Sequence, residues 1–250
     1  MFSDPAIAAA LGTPSLVLLW AGTFLGGLAA GAAGFAFGVV ASSIWLHALS
    51  PAQSTFLVVS CGALLQLGTL WPARRSIERG RLLPFILGGA VGIPIGVGLL
   101  VQSDTGRLKL ALGLFLLAYG LYALLAPRLP YVGVGGRAAD AVIGLVSGLL
   151  GGLGGYSGLL PAMWAQLRGW PKEVARGVYQ PFILFAHLAT LLLVGFVAVD
   201  LTAVVLLIAA LPALVAGGLL GWLIYGRLDE RRFRRLLAAL LVASGAVLVA

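Results

Sequence analysis

The sequence has little charge for its length and almost no cysteine. Of 250 residues, 10% are charged, 61% are hydrophobic, and the mean hydropathy is +1.08. Soluble domains carry about 25% charged residues, so this composition excludes an ordinary water-soluble protein. The single cysteine, Cys61, lies in an apolar run. One cysteine can form neither an intramolecular disulfide nor a thiolate metal cluster. The composition therefore predicts an integral membrane protein.

Segments without any charged residue locate the predicted membrane spans. These segments cover residues 5–73, 82–103, 110–127, 141–167, 177–199 and 201–226. A helix needs roughly 20 apolar residues to cross a hydrocarbon core of about 30 Å, so most of the segments can hold at least one span. The first ten residues contain no basic segment and no small-residue cleavage site, and we expect no removable signal peptide.

A weak repeat divides the chain into two halves. Five residues recur 120 positions later, with Gly31, Gly34, Gly38, Pro51 and Val58 matching Gly151, Gly154, Gly158, Pro171 and Val178. Asp104 and Gly120 match Asp229 and Gly245 at a displacement of 125. Ordered matches of this kind indicate an internal duplication. We interpret residues 1–127 and 138–250 as two transmembrane repeats, joined by a cytoplasmic linker at 128–137.

Each predicted repeat opens with a glycine-interrupted segment and continues with three ordinary spans. The spans cover residues 51–72, 83–101 and 108–126, then 172–197, 201–225 and 233–250. The first opening segment, 14–49, would be about 54 Å long as one helix, which is too long for one span and too short for two spans with a turn. The second, 141–167, is short enough for one tilted span, so length leaves its path open.

The basic residues favour a hairpin for both opening segments. If each segment crossed the membrane once, the 16 Lys and Arg residues would divide six against ten. If each segment folds back, only Arg107 and Lys109 lie apart from the other fourteen. Basic residues concentrate on the cytoplasmic side of membrane proteins, so the second arrangement is favoured. It places both termini outside and inverts the second repeat relative to the first. The predicted fold is therefore an all-α integral membrane protein with two inverted-topology repeats, each a glycine-broken hairpin of short or half helices plus three transmembrane helices.

The two glycine-rich breaks are the predicted functional feature. They read GAAGFAFG at residues 31–38 and GGLGGYSG at residues 151–158. Non-helical backbone at membrane depth is tolerated where protein buries it or where it lines a cavity. The helix that follows a break begins with free N–H groups and a partial positive charge, which favour an anion. The alternative is close helix packing by small residues, which is common in membranes. Five glycines in eight positions at the second break favour a binding site.

Both glycine-rich runs are followed by a proline-containing loop. The second run, GLLGGLGGYSGLLP at 148–161, precedes GWPKEVA at 169–175, and GGLAAGAAGFAFG at 26–38 with Ser50 and Pro51 is a degenerate counterpart. This pattern resembles the TauE/SafE family of sulfite and organosulfonate exporters. The resemblance implies a transporter and not an enzyme, acting on sulfite or a small organosulfonate. Residues 176–182 depart from the small Thr/Ser pair of that family, which leaves the exact substrate open.

The helix after the second break carries a stripe of residues at helical spacing, and all but one of them are polar. The stripe comprises Arg176, Gln180, Ile183, His187 and Thr190. Polar groups inside a membrane face a bundle interior or a water path. Gln180 and Tyr179 could donate to sulfonate oxygens, and Arg176 could attract the anion or be an ordinary loop cation. For His187, a packing hydrogen bond is favoured over a proton relay.

The predicted substrate-binding set combines this stripe with the two breaks. It comprises Gly34, Phe35, Ala36, Phe37, Gly38, Gly154, Gly155, Tyr156, Ser157, Gly158, Arg176, Tyr179, Gln180, His187 and Gln66. In the first repeat, Ser60, Gln66 and His47 are each more typical of a structural role than of a ligand.

The predicted mechanism is alternating access driven by the membrane potential. Asp140 and Glu173 lie near helix starts, so proton coupling through a buried acid is disfavoured. A monoanion leaving a negative interior gains about 2.3 kcal/mol per 100 mV. An importer or a channel for another small anion is the alternative. The expected partners are the small anion and the lipid bilayer of the cell inner membrane, with no nucleic acid, cofactor or metal. A homo-oligomer is compatible with the sequence.

Overall fold

The computed structural model describes residues 12–102, 104–125, 131–198, 201–225 and 230–249. Within these ranges the regular structure is entirely helical, with ten α-helices, one short 3-10 turn at Arg74–Ser76 and no strand. The all-α prediction is therefore confirmed. The predicted linker is described only from residue 131 onward, and the N-terminal residues 1–11 lie outside the described ranges.

The helices follow one another with short connections. In chain order they are α1 (Thr13–Ala33), α2 (Phe37–Trp45), α3 (Pro51–Ala73), α4 (Arg79–Gln102), α5 (Thr105–Leu125), α6 (Gly136–Gly154), α7 (Leu159–Leu167), α8 (Lys172–Ala198), α9 (Leu201–Tyr225) and α10 (Glu230–Val249). By length and composition, six of them can cross a membrane: α1, α3, α4, α6, α8 and α9. The predicted spans 51–72, 172–197 and 201–225 agree with α3, α8 and α9 to within one residue.

The first opening segment folds back on itself. Helix α1 ends at Gly34, whose φ of 85° lies in the left-handed region that favours glycine. Helix α2 then returns beside α1, and the indole Nε1 of Trp45 donates to the carbonyl oxygen of Leu19 at 3.2 Å. Nearer the turn, a Cβ added to Gly26 would lie 3.1 Å from the side chains of Phe37 and Ala41. The two helices are therefore antiparallel neighbours.

The second opening segment has the same form. Helix α6 ends at Gly155, where φ is 78°. At the other end of the hairpin, the Val132 amide donates to Leu167 O at 2.8 Å, and Arg168 Nη1 donates to Val134 O at 2.9 Å. The end of α7 thus meets the segment that leads into α6. The expectation of short or half helices holds for α2 and α7, which have nine residues each, whereas α1 with 21 and α6 with 19 are of full length.

Glycines allow two helix pairs to pack in backbone contact. Along the α4–α6 seam, Gly88, Gly92 and Gly96 of α4 face Gly144, Gly148 and Gly152 of α6. Along the α1–α9 seam, a Cβ on Gly31 would lie 2.8 Å from the backbone nitrogen of Trp222. Such close approach is typical of small-residue interfaces in membranes. Gly31 and Gly151, which the sequence analysis assigned to the breaks, lie inside α1 and α6, because each helix continues to its left-handed glycine.

We expect Gly92→Ala to lower the free energy of unfolding by about 1–3 kcal/mol, because the added methyl group would press on Leu145 O and on the Leu149 amide nitrogen, 2.8 Å away. The matched control is Gly98→Ala on the same helix, where no atom lies within 4 Å of the added carbon. Thermal unfolding of the purified protein in detergent measures both. Equal unfolding temperatures for the two variants would contradict the seam.

Candidate functional site

The two breaks touch each other in the interior of the helix bundle. A Cβ added to Gly38, in the first turn of α2, would lie 3.0 Å from Gly155 O. A Cβ added to Gly158, the N-cap of α7, would lie 2.6 Å from the Cβ of Phe35. Side chains at these two glycines would therefore force the breaks apart. We refer to residues 34–38 and 154–158 together as the junction.

Each break also faces the long helix that follows the other break. The position of a Cβ on Gly34 is 3.0 Å from Nε2 of Gln180 and 3.2 Å from the hydroxyl of Tyr179, both on α8. The corresponding position on Gly155 is in contact with Val58 and Val59 of α3. The Cβ position of Gly34 therefore meets polar side chains, whereas that of Gly155 meets apolar ones.

The short helices begin at the junction without a side-chain cap. The N-cap residues are Ala36 for α2 and Gly158 for α7, and neither helix has a capping hydrogen bond from a side chain. The first N–H groups of an α-helix have no partner within the helix, and the helix dipole places partial positive charge there. At α7 the Leu159 amide donates to Tyr156 O at 3.4 Å and Pro161 has no N–H, so the free donors come mainly from the start of α2. Both N-termini add positive potential at one buried place, which is suitable for an anion.

Two buried polar side chains at the junction have no hydrogen-bond partner. Gln180 is 1% exposed, and neither Nε2 nor Oε1 of its amide is bonded. Ser157 is fully buried, and its hydroxyl is likewise unpartnered. Leaving a buried polar group unpaired costs about 1–3 kcal/mol, so native proteins rarely keep such groups without a reason. Both groups can donate a hydrogen bond to an oxyanion.

Two other predicted ligands contact the backbone of the breaks. Nε2 of Gln66 donates to Gly34 O at 2.8 Å. Nε2 of His187 lies 3.3 Å from Gly155 O, and the His187 ring packs on Gly62 of α3, where a Cβ would lie 2.7 Å from Nδ1. For His187, this geometry matches the packing hydrogen bond that the sequence analysis favoured over a proton relay.

The remaining predicted residues lie at different distances from the junction. Tyr156 is buried, with its ring against Gly154, and the ring of Phe35 meets that of Tyr179 edge-on at 5.8 Å. Phe37 turns toward α1 and packs against Trp45 with ring centroids 5.9 Å apart. Arg176 is half-buried one helical turn before Gln180.

Sequence reasoning missed the residues that surround the second break. Val58 and Val59 were not among the predicted ligands, although Val58 belonged to the matched repeat positions. Asp140, expected near a helix start, is indeed in the second turn of α6. Its side chain is buried, however, and Oδ1 accepts a hydrogen bond from Trp164 Nε1 at 2.7 Å. The sequence did not reveal this burial, because a carboxylate near a helix start is usually exposed.

Helices that are interrupted inside a bundle of apolar helices long enough to cross a membrane are a feature of many secondary transporters. A family model described as "Sulfite exporter TauE/SafE" matches residues 19–248, nearly the whole chain. The chain belongs to this family, as the sequence resemblance implied, and the family consists of transporters and not of enzymes. No curated protein matches the chain. No solved structure matches it either.

We expect Gly158→Leu to abolish transport while the protein still reaches the membrane. The new side chain would occupy the space between the two breaks, next to Phe35 and Ile183. The control is Gly195→Leu, because no atom lies within 4 Å of a Cβ at that exposed position of α8. Uptake of radiolabelled sulfite into membrane vesicles, normalised to the amount of protein, measures the effect. Wild-type transport by Gly158→Leu would contradict the junction as the site.

Proposed function

We propose that the protein exports sulfite or a small organosulfonate across the cell inner membrane by alternating access, with the junction as the anion site. The observation that supports this most strongly is the amide of Gln180, buried and unbonded beside Gly34. Its Nε2 and the hydroxyl of Ser157 supply hydrogen-bond donors, the start of α2 supplies N–H groups, and the N-termini of α2 and α7 supply positive potential. The substrate-binding residues are those of the junction together with Tyr179 and Gln180, and Arg176 attracts the anion at the cytoplasmic mouth.

The chemistry of this site suits transport better than permanent binding. N–H and hydroxyl donors neutralise an oxyanion only partly, whereas a buried guanidinium would form a close ion pair. Partial neutralisation allows the anion to leave when the site opens to the other side. The apolar side chains of Val58 and Val59 at the second break would contact the carbon part of a sulfonate once the site opens.

The order of the helices supports an inverted duplication. The five helices α6–α10 start 121 to 125 positions after α1–α5. The packing is reciprocal as well, because α1 lies against α9 and α6 lies against α4. Structural repeats related in this way allow alternating access by rocking of one unit against the other.

The open ends of the two hairpins support insertion from opposite membrane faces. At the end of the first hairpin, His47 Nε2 lies 3.1 Å from Val247 O, and Lys109 Nζ lies 3.4 Å from His47 Nδ1. The end of the second hairpin is at Val132 and Arg168. Helix α5 leads from the first group toward the second, and its 21 residues give a length of about 31 Å, the thickness of a hydrocarbon core.

The distribution of basic residues supports the orientation. Under the hairpin topology, Arg107 and Lys109 belong to the side of the first open end, and the other fourteen Lys and Arg residues of the sequence belong to the second side. The second side is therefore cytoplasmic, and both termini are external. Export then follows the membrane potential, which favours the exit of a monoanion by about 2.3 kcal/mol per 100 mV.

We expect Gln180→Met to have opposite effects on transport and on stability. Methionine has a similar length and removes two unpaired buried polar atoms, so the unfolding temperature without anion should stay equal or rise. Transport of sulfite should fall by at least about tenfold, because a donor to the anion is lost. The matched control, Gln66→Met, removes a bonded amide and should lower the unfolding temperature. Proteoliposome transport and thermal unfolding provide the two measurements.

If Gln180→Met transported sulfite at the wild-type rate, Gln180 would not be part of the anion site. The same assay separates the alternatives for the protein as a whole. A carrier saturates with sulfite concentration and exchanges labelled for unlabelled anion, whereas a channel does neither. Saturable transport of another small anion, with no response to sulfite or methanesulfonate, would contradict the proposed substrate.

A further inference from the structure

Gly34 of the first break and two residues of α3, Gln66 and Thr69, have counterparts 121 positions later in the chain. The left-handed glycines Gly34 and Gly155 are 121 positions apart. The same displacement takes Gln66 to His187 and Thr69 to Thr190. The displacement of 120 used in the sequence comparison pairs Gly34 with Gly154 and therefore does not bring out this correspondence.

Hydrogen bonds connect the three residues of the first set, from Thr69 to Gln66 and from Gln66 to Gly34. Gln66 Nε2 donates to Gly34 O at 2.8 Å. The hydroxyl of Thr69, one turn further along α3, lies 3.1 Å from Gln66 Oε1, and it also lies 3.2 Å from Leu65 O and 3.4 Å from Gln66 O. The shortest of these contacts orients the amide, and the amide holds the carbonyl group of the break.

The second set has the same placement with one bond not made. His187 Nε2 lies 3.3 Å from Gly155 O, and Gln66 Nε2 lies 2.8 Å from Gly34 O in the first set. Nδ1 of His187 lies beside the Gly62 backbone without a hydrogen bond of good geometry, and the buried hydroxyl of Thr190 has no partner. The two residues are three positions apart on α8, so they are neighbours on one face of the helix. A rotation about the side-chain bonds of Thr190 is the movement that would join them.

We propose that Thr190 donates its hydroxyl hydrogen to Nδ1 of His187, which keeps the proton of the neutral ring on Nε2 and directs it to Gly155 O. His187 and Gln66 are then equivalent positioning residues and not ligands of the anion. This inference deepens the proposed function and rests on it in one respect: the breaks are held in place in order to bind the anion.

The purpose follows from the geometry of a peptide group. A carbonyl oxygen at a break has no partner in the helix, and an unpaired carbonyl at membrane depth is costly. The carbonyl of Gly155 and the N–H of Tyr156 belong to one planar peptide group, so a bond to the oxygen also fixes the N–H. That N–H donates to Leu150 O at 3.2 Å, which closes the left-handed turn. Bonds to Gly34 O and Gly155 O thus hold both breaks in the shape that presents the α2 and α7 N-termini.

Conservative exchange of the two residues tests the equivalence. His187→Leu should lower the unfolding temperature without anion and raise the KM for sulfite by roughly tenfold, because Gly155 O loses its partner. His187→Gln should restore both, since an amide performs this task in the first set. A proton relay or a charged ligand would not be restored by glutamine, so equal damage in His187→Gln and His187→Leu would overturn the proposal.

Thr190→Val tests the bond from the hydroxyl. If Thr190 donates to His187, the valine variant should have a lower unfolding temperature in the wild-type background and none of that loss in the His187→Leu background. If the hydroxyl is unpaired, its removal should leave stability unchanged or increase it, and that result would overturn the proposal. These stability measurements need no anion, so they test the bond from Thr190 whether or not the protein transports sulfite. If the wild-type protein transported neither sulfite nor methanesulfonate, that result would contradict only the proposed function.

The tautomer of His187 provides an independent signature. The chain has two histidines, so His47→Gln leaves one imidazole to observe. Nitrogen NMR of the labelled full-length protein in lipid should show the hydrogen on Nε2. A hydrogen on Nδ1 would overturn the proposal.

Discussion

The whole architecture depends on the need to satisfy backbone N–H and C=O groups where no water is available. A helix that stops inside a membrane leaves such groups unpaired, so a break survives only when other parts of the protein bury it and bond to it. Here Gln66 and His187 contact the carbonyl groups at the two breaks. The glycine seams between α1 and α9 and between α4 and α6 surround the hairpins with backbone-close neighbours. The start of α2, the positive end of α7 and the unpaired Gln180 amide are therefore available to a ligand.

The glycines perform two tasks that look alike in a sequence. Gly92 and Gly148 lie in seams, where the absence of a side chain lets two helices approach, whereas Gly34 and Gly155 adopt a left-handed conformation that ends a helix. Composition, charge-free segments and loop positions predict the spans well, because a single physical quantity, the thickness of the hydrocarbon core, sets their length. The position of each turn could not be predicted, since Gly31, Gly34 and Gly38 offer the same residue type and only tertiary contacts distinguish them.

The sequence also predicts part of the candidate site, namely its polar residues, but not the contacts that they make. Polar residues in an apolar span are conspicuous, so Gln66, Gln180 and His187 could be selected from their surroundings. The neighbour of Gln180 could not, because the contact of Gly34 with Gln180 joins the two halves of the chain, as that of Gly155 with Val58 does. The polar neighbours of the Gly34 Cβ position and the apolar neighbours of the Gly155 Cβ position also emerge only from the packing of α3 and α8. The proposed asymmetry of the site is thus a tertiary property imposed on a duplicated sequence.

The central claim is that an oxyanion binds between the two breaks. Selenite has the shape and charge of sulfite, and selenium scatters X-rays anomalously, so crystals of the wild-type protein soaked with selenite locate the anion without reference to transport. The account predicts an anomalous peak within hydrogen-bond distance of Gln180 Nε2 and Ser157 Oγ, and its loss in crystals of Gln180→Met. A peak only at the basic connections, such as those around Arg81 and Arg168, with none at the junction, would contradict the account.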